Sequence, residues 1–382
     1  MGFALLLTAC AGSGDNPRGA AIEQVSEGPA LPSASAFADT VDGEPVSLWY
    51  IQNSKGMRAA LCNYGARMVG LWMPDRQGRI TDIVLGFDSL SGYLHSTESF
   101  YGAVVGRYGN RIANGRFTLD GKTWQLDINN APNSLHGGKD GFHTRAWKAE
   151  QPDSQTVRFS YTARDGEGGY PGRLTVSVIY RLTEDNALDM QYEWQSDRRT
   201  VANITNHNFW NLNGEGSGPV AGHHLQIIAS RYTPVDSTLI PVAIAPVKNT
   251  PFDFTNSRPI GDSLGSSHVQ MIHGKGYDHN FVLDKGKADS LELAAVVRGD
   301  LSGIIMEIHT TEPGIQFYGG NFMQSKNRLK SGAMDAHRTA FCLETQHFPD
   351  APNQPAFPST IVEPGRVYRS RTLHRFKIAP AP

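Results

Sequence analysis

The chain has 382 residues, enough to bury a large hydrophobic core, and its 39% hydrophobic and 19% charged residues are typical of an ordinary globular protein. Its net charge of −2 provides no basic field for a polyanion, which argues against nucleic acid as a partner. The sequence holds no apolar run of about 18 residues, so we predict no transmembrane helix.

The first ten residues resemble a bacterial export signal. A short apolar run at 3–7 precedes Leu-Thr-Ala-Cys, a string similar to the lipobox in which the cysteine, here Cys10, is lipidated. The alternative is a slightly apolar, disordered tail, because the run is short and no Lys or Arg precedes it. Residues 11–36 are rich in Gly, Ala, Ser and Pro, as in a flexible linker. We therefore predict a signal and linker at 1–36, and a protein of the bacterial periplasm or cell envelope, lipid-anchored through Cys10, or else secreted.

Beyond this segment the sequence shows strand patterns at regular spacing. Apolar and polar residues alternate over 173–182 and 187–195, and the turn-forming residues between them predict a β-hairpin. Further strands are predicted at 57–64, 66–73, 116–119, 122–126, 156–162, 200–208, 224–230, 280–283, 291–298, 304–310, 316–320, 340–344 and 367–376. Helical periodicity is confined to one-turn pieces near 89–94 and 259–264. This pattern predicts an all-β fold, an antiparallel sandwich or barrel, in a single domain over 37–382.

Two cysteines, Cys62 and Cys342, lie within the predicted domain. No Cys-x-x-Cys, Cys/His cluster or His-Glu-x-x-His segment accompanies them, so we predict no metal site. We expect two buried free thiols, with a disulfide between them as the alternative. The sequence also lacks a Gly-x-Ser-x-Gly elbow and a phosphate-binding loop, so neither a serine hydrolase nor a nucleotide cofactor is indicated.

Five polar segments stand out from the strand pattern, and the first is Val-Val-Gly-Arg-Tyr-Gly-Asn-Arg-Ile at 104–112. Its glycines lack the spacing and the βαβ context of a dinucleotide-binding loop. Arg107 and Asn110 could donate hydrogen bonds to the hydroxyl groups of a ligand. We expect Arg111 to be a structural ion-pair partner instead.

The next two segments each contain a histidine. His136, in Asn-Ser-Leu-His-Gly-Gly, precedes two glycines in an irregular loop where backbone can approach a ligand closely. His207, in Ile-Thr-Asn-His-Asn-Phe-Trp-Asn-Leu, is surrounded by polar and aromatic residues, as on a concave face that binds a sugar. The alternatives are a surface histidine in a turn and a histidine capped by its Asn neighbours at a strand end.

The last two segments contain acidic residues at strand ends. Asp278, in Gly-Tyr-Asp-His-Asn-Phe-Val-Leu, directly precedes an apolar strand and could accept hydroxyl hydrogens, with His279 as a second choice. Glu344, in Phe-Cys-Leu-Glu-Thr-Gln, ends an apolar strand, where burial should raise its carboxyl pKa into the range of a general base. The alternative for Glu344 is a structural ion pair.

Together these segments resemble the aldose 1-epimerase (galactose mutarotase) family. The matching strings, in the family's order, are GRYGNRI, NSLHGG, TNHNFWNL, GYDHNFVL, GIQFYGGNF and LETQHFPDAPNQPAFPST, and the resemblance spans 57–376. It implies a galactose-mutarotase-like antiparallel β-supersandwich that binds a monosaccharide on its concave face. It also implies an isomerase that interconverts the α and β anomers of free aldohexoses, such as glucose or galactose, without a metal or cofactor.

The resemblance also implies three catalytic residues. Glu344 matches the family's general base, His207 its general acid, and His136 a second active-site histidine near the ring oxygen. One acid and one base of opposite protonation suffice to open a hemiacetal. The sequence departs from the family at Phe209-Trp210, where Tyr-Phe often follows the Thr-Asn-His string.

The remaining implied roles concern the binding of the sugar. Asp278 and Arg107 match ligands of the sugar hydroxyls. Further contacts are implied for Asn110, Gln316 and Tyr318.

Three other functions use similar residues. A glycoside hydrolase would use Glu344 and Asp278 as its two carboxylates. A non-catalytic carbohydrate-binding protein would need neither Glu344 nor His207, and a hexose-phosphate epimerase would need a cationic cluster that the sequence does not show. The preferred sugar, and the choice between monomer and dimer, stay open.

Overall fold

The computed structural model describes residues 28–380. All pairings between its named strands are antiparallel, and the described helices are single turns or little more, which confirms the all-β prediction. Within this range no helix is long and apolar enough to cross a membrane. The predicted export signal and Cys10 lie outside the described residues.

A nine-stranded antiparallel sheet forms one wall of the core. In spatial order its strands are Lys148–Asp153, Thr156–Ala163, Leu174–Leu182, Ala187–Ser196, Tyr368–Ile378, Ile304–Thr310, Glu292–Arg298, His224–Ile227 and Arg258–Pro259. The predicted hairpin is confirmed, since Leu174 pairs with Ser196 and Leu182 with Leu188.

A five-stranded and a four-stranded sheet complete the main framework. The five-stranded sheet contains Ala245–Pro246, Arg231–Tyr232, Asp278–Val282, Gly314–Tyr318 and Cys342–Gln346, in that order. The four-stranded sheet contains Leu48–Gln52, Arg58–Cys62, Arg67–Pro74 and Ile80–Asp82. Apolar side chains from all three sheets share one large hydrophobic cluster.

Short ribbons and turns of helix connect these sheets. The two-stranded ribbons are Asp39–Val41 with Glu44–Val46, Val104–Val105 with Thr205–Asn206, Arg111–Ile112 with Ser134–Leu135, Arg116–Leu119 with Lys122–Gln125, and Thr200–Val201 with Ile361–Val362. The α-helices are Leu90–Leu94 and Val269–His273. The 3₁₀ turns are Ala34–Phe37, Ala113–Gly115, Phe142–Thr144, Glu167–Gly169, Val220–Gly222, Ile260–Ser263 and Ala351–Asn353.

Three details differ from the sequence predictions. The strand predicted at 200–208 is wrong, because the chain changes pairing partner there and forms the separate strands Thr200–Val201 and Thr205–Asn206. The strands Leu48–Gln52 and Lys148–Asp153 were not predicted. Ordered structure also begins before residue 37, at a 3₁₀ turn over Ala34–Phe37 whose last residue is fully buried.

The register of the five-stranded sheet gives it one polar face. Residues directly opposite each other on paired strands point to the same side of a sheet. Tyr318 lies opposite both Asp278 and Cys342, and Gln316 lies opposite both Asn280 and Glu344. Because side chains alternate along a strand, these two rows project from the same face.

The opposite face of the same strands is apolar. Phe281, Ile315, Phe317 and Leu343 are sequence neighbours of the polar positions, project to the other side, and pack into the large hydrophobic cluster. The core therefore fixes the register, and the register in turn places the polar side chains side by side.

Cys62 and Cys342 are both buried, and within the described chain both are free thiols, as predicted.

Candidate active site

Glu344 and His207 face each other on the polar side of the five-stranded sheet. The distance from His207 Nε2 to Glu344 Oε1 is 3.7 Å, and the two residues are 6% and 2% exposed. Glu344 lies in the middle of the strand Cys342–Gln346, and among residues 28–380 its buried Oε2 has no hydrogen-bond partner. A buried carboxyl oxygen without a partner is costly, which indicates a place for a ligand.

His207 is held by its backbone and by two aromatic rings. It directly follows the strand Thr205–Asn206, its N–H donates to Ala103 O at 2.8 Å, and its carbonyl accepts from Gly102 N at 3.0 Å. The imidazole lies between the rings of Phe100 and Phe209, with centroids at 5.7 and 5.0 Å and nearly parallel planes. Rotation of the imidazole is thereby restricted.

Burial drives this pair toward its neutral forms. It lowers the pKa of His207 to about 4, although a hydrogen bond with its own backbone opposes the shift. Burial, followed by the nearby charge of Asp278, raises the pKa of Glu344 well above its ordinary value, while Arg111 lowers it. The two shifts bring the proton affinities of the carboxyl and the imidazole closer together, so a proton held by the pair can reside on either group.

Asp278 is fixed beside this pair by two side chains. Gln316 Nε2 donates to Asp278 Oδ1 at 2.7 Å, and Arg111 lies 3.8 Å from Asp278 Oδ2. Burial raises the pKa of Asp278, while the charge of Arg111 and the hydrogen bond from Gln316 lower it. In the described chain Gln316 Oε1 is buried without a partner, so the amide still has an acceptor to offer.

His136 is fixed in one tautomer by the neighbouring backbone. Its Nδ1 accepts a hydrogen bond from the backbone N–H of Asn110 at 3.1 Å, and the backbone N–H of His136 donates to Asn110 O at 2.9 Å. A neutral imidazole that accepts at Nδ1 carries its hydrogen on Nε2. Burial keeps His136 neutral by lowering its pKa well below the usual value, and His207 and Arg111 add to the shift. His136 is therefore a hydrogen-bond donor whose ring lies 5.1 Å from that of His207.

The structure does not bring Arg107 together with the other predicted site residues. Its guanidinium donates to the backbone carbonyls of Pro171 and Gly172, both at 2.8 Å, and lies over the Tyr170 ring. Among residues 28–380, none of the recorded contacts of this guanidinium is with Glu344, His207, His136 or Asp278.

Arg111, which we expected to be structural, is the arginine of this site. It lies next to Asp278, and its Nε also donates to Asn130 Oδ1 at 3.1 Å. The two roles are compatible, because an ion pair with Asp278 also orients the guanidinium.

The other predicted contact residues lie close by. Tyr318 is 7% exposed, its ring lies 6.5 Å from that of His207, and its hydroxyl accepts from Phe322 N at 2.9 Å. The Asn110 side chain turns back on its own segment, since its Oδ1 accepts from Arg111 N at 2.9 Å. Its contribution to the site is therefore mainly the backbone N–H that orients His136.

Three of these side chains could also hold a metal ion. One ligand atom from each of His136, His207 and Glu344 lies within 4.8 Å of the others. Metal binding requires a nitrogen without hydrogen, but the Asn110 amide at Nδ1 leaves the hydrogen of His136 on Nε2. The trio therefore fits oxygen ligands that accept and exchange protons better than it fits a cation.

Sequence reasoning missed two residues besides Arg111. Phe100 packs against His136 and His207 with centroid distances of 4.6 and 5.7 Å, and it precedes the segment that was singled out. The sequence analysis predicts only a buried thiol at Cys342. In the structure Cys342 lies two residues before Glu344 and therefore on the same face of the strand. That spacing was the available signal.

Comparisons with known proteins identify the relatives of this chain. The family model for aldose 1-epimerase matches residues 47–375. Galactose mutarotase of Rattus norvegicus is 44% identical over 85% of this chain and 93% of the relative, and aldose 1-epimerase of Escherichia coli K12 is 36% identical over 88% and 96%.

Solved structures show the same fold. The crystal structure of an aldose epimerase homologue from C. elegans matches with a TM-score of 0.80 and 30% identity over 87% of this chain and 99% of that one. That of galactose 1-epimerase from Lactobacillus acidophilus gives 0.77 and 26% over 89% and 97%. The chain belongs to the aldose 1-epimerase family, whose isomerase activity and galactose mutarotase-like fold it shares.

Proposed function

We propose that this enzyme opens and recloses the ring of a free aldohexose, such as galactose or glucose, with Glu344 as the base and His207 as the acid. The observation that carries the proposal is the 3.7 Å separation of a buried carboxyl and a buried imidazole, whose pKa values burial shifts in opposite directions. The two oxygens that exchange protons in a hemiacetal are bonded to the same carbon. The acid and the base must therefore be close neighbours, as they are here.

Ring opening begins with the proton on His207. The Glu344 carboxylate takes the proton of the anomeric hydroxyl, and His207 Nε2 gives its proton to the ring oxygen. The bond between the anomeric carbon and the ring oxygen breaks, leaving an aldehyde and a hydroxyl. The pair has then changed from carboxylate and imidazolium to carboxylic acid and neutral imidazole, so the number of protons is unchanged.

Burial favours this step. The raised pKa of Glu344 favours the neutral carboxylic acid, and the lowered pKa of His207 favours the neutral imidazole. Ring opening yields these two forms and therefore removes two buried charges. The aldehyde then rotates about its bond to the next carbon. In ring closure Glu344 returns its proton to the aldehyde oxygen and His207 takes one from the attacking hydroxyl, which yields the other anomer.

The neighbouring side chains bind the sugar without joining the proton exchange. Asp278 accepts from sugar hydroxyls while Arg111 and Gln316 hold it in place. His136 presents a fixed Nε2–H donor, which suits the oxygens around the anomeric carbon. Donors and acceptors of this kind are common to the aldohexoses, so we propose the class rather than one sugar.

Polarimetry tests the assignment directly. Fresh α-D-galactose and α-D-glucose are dissolved with the wild type or with Glu344→Gln, which keeps the shape of the side chain. Loss of a positioned base should lower kcat by about 100- to 10,000-fold. Glu312→Gln is the matched control, because Glu312 is also buried and also contacts a histidine. This variant should catalyse mutarotation at the normal rate.

Near-normal mutarotation by Glu344→Gln would overturn the role of Glu344. Release of reducing sugar from a glycoside by the wild type would favour the hydrolase, with Glu344 and Asp278 as its carboxylates. Binding of sugar without faster mutarotation would favour the non-catalytic alternative.

A further inference from the structure

A buried thiol lies against the nitrogen of His207 that faces away from Glu344. The distance from Cys342 Sγ to His207 Nδ1 is 3.6 Å, and Cys342 is fully buried. Cys342 and Glu344 lie two residues apart on one strand, so they share a face and flank the imidazole at its two nitrogens. One strand therefore contacts both ends of the proposed acid.

The thiol cannot act as a nucleophile in this position. Burial raises the pKa of Cys342 well above its usual value, and the charge of Glu344 raises it further. A reactive cysteine needs the opposite environment, in which a cation or helix end favours the thiolate. Cys342 therefore stays neutral and meets His207 as a weak hydrogen-bonding group.

Because His207 exchanges its proton with the sugar at Nε2, its other nitrogen, Nδ1, must carry a hydrogen and needs an acceptor for it. In the proposed reaction Nε2 gives up its hydrogen and takes it back, so Nδ1 keeps a hydrogen throughout. A buried N–H without an acceptor is costly. The imidazole has a hydrogen bond with its own backbone, and the Cys342 sulfur is the side-chain atom placed to accept from Nδ1. We propose that Cys342 is a positioning residue, whose sulfur accepts from His207 Nδ1–H and keeps Nε2 free to exchange protons with the sugar. This inference rests on the proposed role of His207 as the acid.

The two histidines of the site are then fixed in opposite tautomers. The Asn110 amide leaves the hydrogen of His136 on Nε2, whereas Cys342 leaves that of His207 on Nδ1. One ring is a permanent donor and the other exchanges its proton. The two histidines thus have different roles in the same site, His136 as a hydrogen-bond donor and His207 as the group that exchanges a proton.

A weak acceptor also suits an acid that must release its proton. In the same protein Glu312 Oε2 lies 2.6 Å from His347 Nδ1, and this contact raises the pKa of His347. A carboxylate behind His207 would likewise hold the imidazolium too strongly. Sulfur orients the ring and contributes little charge.

Several other titratable groups lie near His207 and also influence its pKa. Glu344 faces Nε2, and the rings of His136 and Tyr318 lie 5.1 and 6.5 Å away. His143 also packs against the Phe100 ring, at a centroid distance of 4.6 Å. None of these contacts is altered by a substitution at residue 342 that preserves the fold.

Nitrogen NMR of the histidine side chains tests the proposal. Long-range ¹H–¹⁵N spectra at neutral pH, with His207 assigned from His207→Gln, should show wild-type His207 protonated on Nδ1 and His136 on Nε2. Cys342→Ala should shift His207 toward the Nε2–H tautomer and lower kcat by about 2- to 12-fold, the size of one net hydrogen bond. Cys62→Ala is the control for the loss of a fully buried thiol and should change neither.

The conservative variant separates orientation from packing. Cys342→Ser supplies a stronger acceptor, so it should restore the Nδ1–H tautomer and move the acid limb of the kcat/KM profile upward by about half to one pH unit. An Nε2–H tautomer in the wild type, or an unchanged tautomer and pH profile in both Cys342 variants, would overturn the proposal. If His207→Gln retains normal mutarotation, the proposed acid has failed instead, and the two failures are distinguishable.

Discussion

Two glutamate–histidine pairs lie at or next to the strands Gly314–Tyr318 and Cys342–Gln346 and behave in opposite ways. Glu312 Oε2 and His347 Nδ1 are 2.6 Å apart, and the contact raises the pKa of His347. Glu344 and His207 are 3.7 Å apart, and burial pushes both toward neutrality. Glu312 and His347 form a hydrogen bond with each other. In the second pair, Glu344 Oε2 has no hydrogen-bond partner among residues 28–380. A closed pair stabilises the fold, whereas an open pair leaves room for a substrate.

We expect the side chains around Glu344, and not only the Glu344–His207 pair, to contribute to the affinity for the sugar. Arg111→Gln removes the charge beside Asp278 and should lower kcat/KM by about 10- to 100-fold, the size of a charged hydrogen bond. Arg107→Gln is the matched control, four residues away in the same segment. It should cost about 1–3 kcal/mol of unfolding free energy, because two buried carbonyls lose their donor, and should leave kcat/KM nearly unchanged.

Polarimetry at several sugar concentrations and thermal unfolding of both variants give these values. An equal loss of kcat/KM in Arg107→Gln would return that residue to the sugar site.

The closed pair should contribute stability that depends on pH. Because the folded-state pKa of His347 is raised above 6.5, the contribution is fully present below pH 6.5 and is lost as pH rises through the folded value. Glu312→Gln should therefore lower the free energy of unfolding by about 1–2 kcal/mol at pH 6 and by much less at pH 9. Urea unfolding at the two pH values measures this. An equal deficit at both would indicate lost packing instead of a lost ion pair.

Removing the carboxyl of the open pair should have the opposite effect on stability, an increase instead of a decrease. Below the unfolded pKa of 4.5, Glu344 is protonated in both states, and above it the unfolded chain gains stability by ionising. Glu344→Gln removes that advantage, so the variant should be more stable than the wild type by about 1 kcal/mol at pH 7 and no more stable at pH 4. A destabilised Glu344→Gln at pH 7 would mean that the carboxylate is well paired, which would contradict the open site.

The sequence was sufficient to predict most of the long strands and to single out four candidate site residues that lie together in the structure. Alternation predicted the hairpin of Leu174–Leu182 and Ala187–Ser196 because each strand buries only one face. Family strings identified Glu344, His207, His136 and Asp278, which the structure brings together across distant parts of the chain.

It was not sufficient to distinguish Arg107 from Arg111. Both lie in one irregular segment, and between them Asn110 takes a left-handed backbone conformation with φ of 61°. A turn of that kind redirects the side chains on either side of it, and no periodic pattern records the change. The closed pair of Glu312 and His347 was also invisible, because it joins residues 35 apart without a motif.

The alternating faces of the five-stranded sheet have a consequence for how this enzyme can evolve. Side chains at positions 278, 280, 316, 318, 342 and 344 project to the face that carries Glu344, while Phe317 and Leu343 between them pack into the large hydrophobic cluster. A substitution at one of the former changes the lining of the proposed sugar site and leaves the apolar face of the sheet in place. A one-residue insertion in any of these strands would instead exchange the two faces, placing Leu343 where Glu344 now stands and a carboxylate in the core. New specificities are therefore accessible by point mutation, whereas changes of strand length are not.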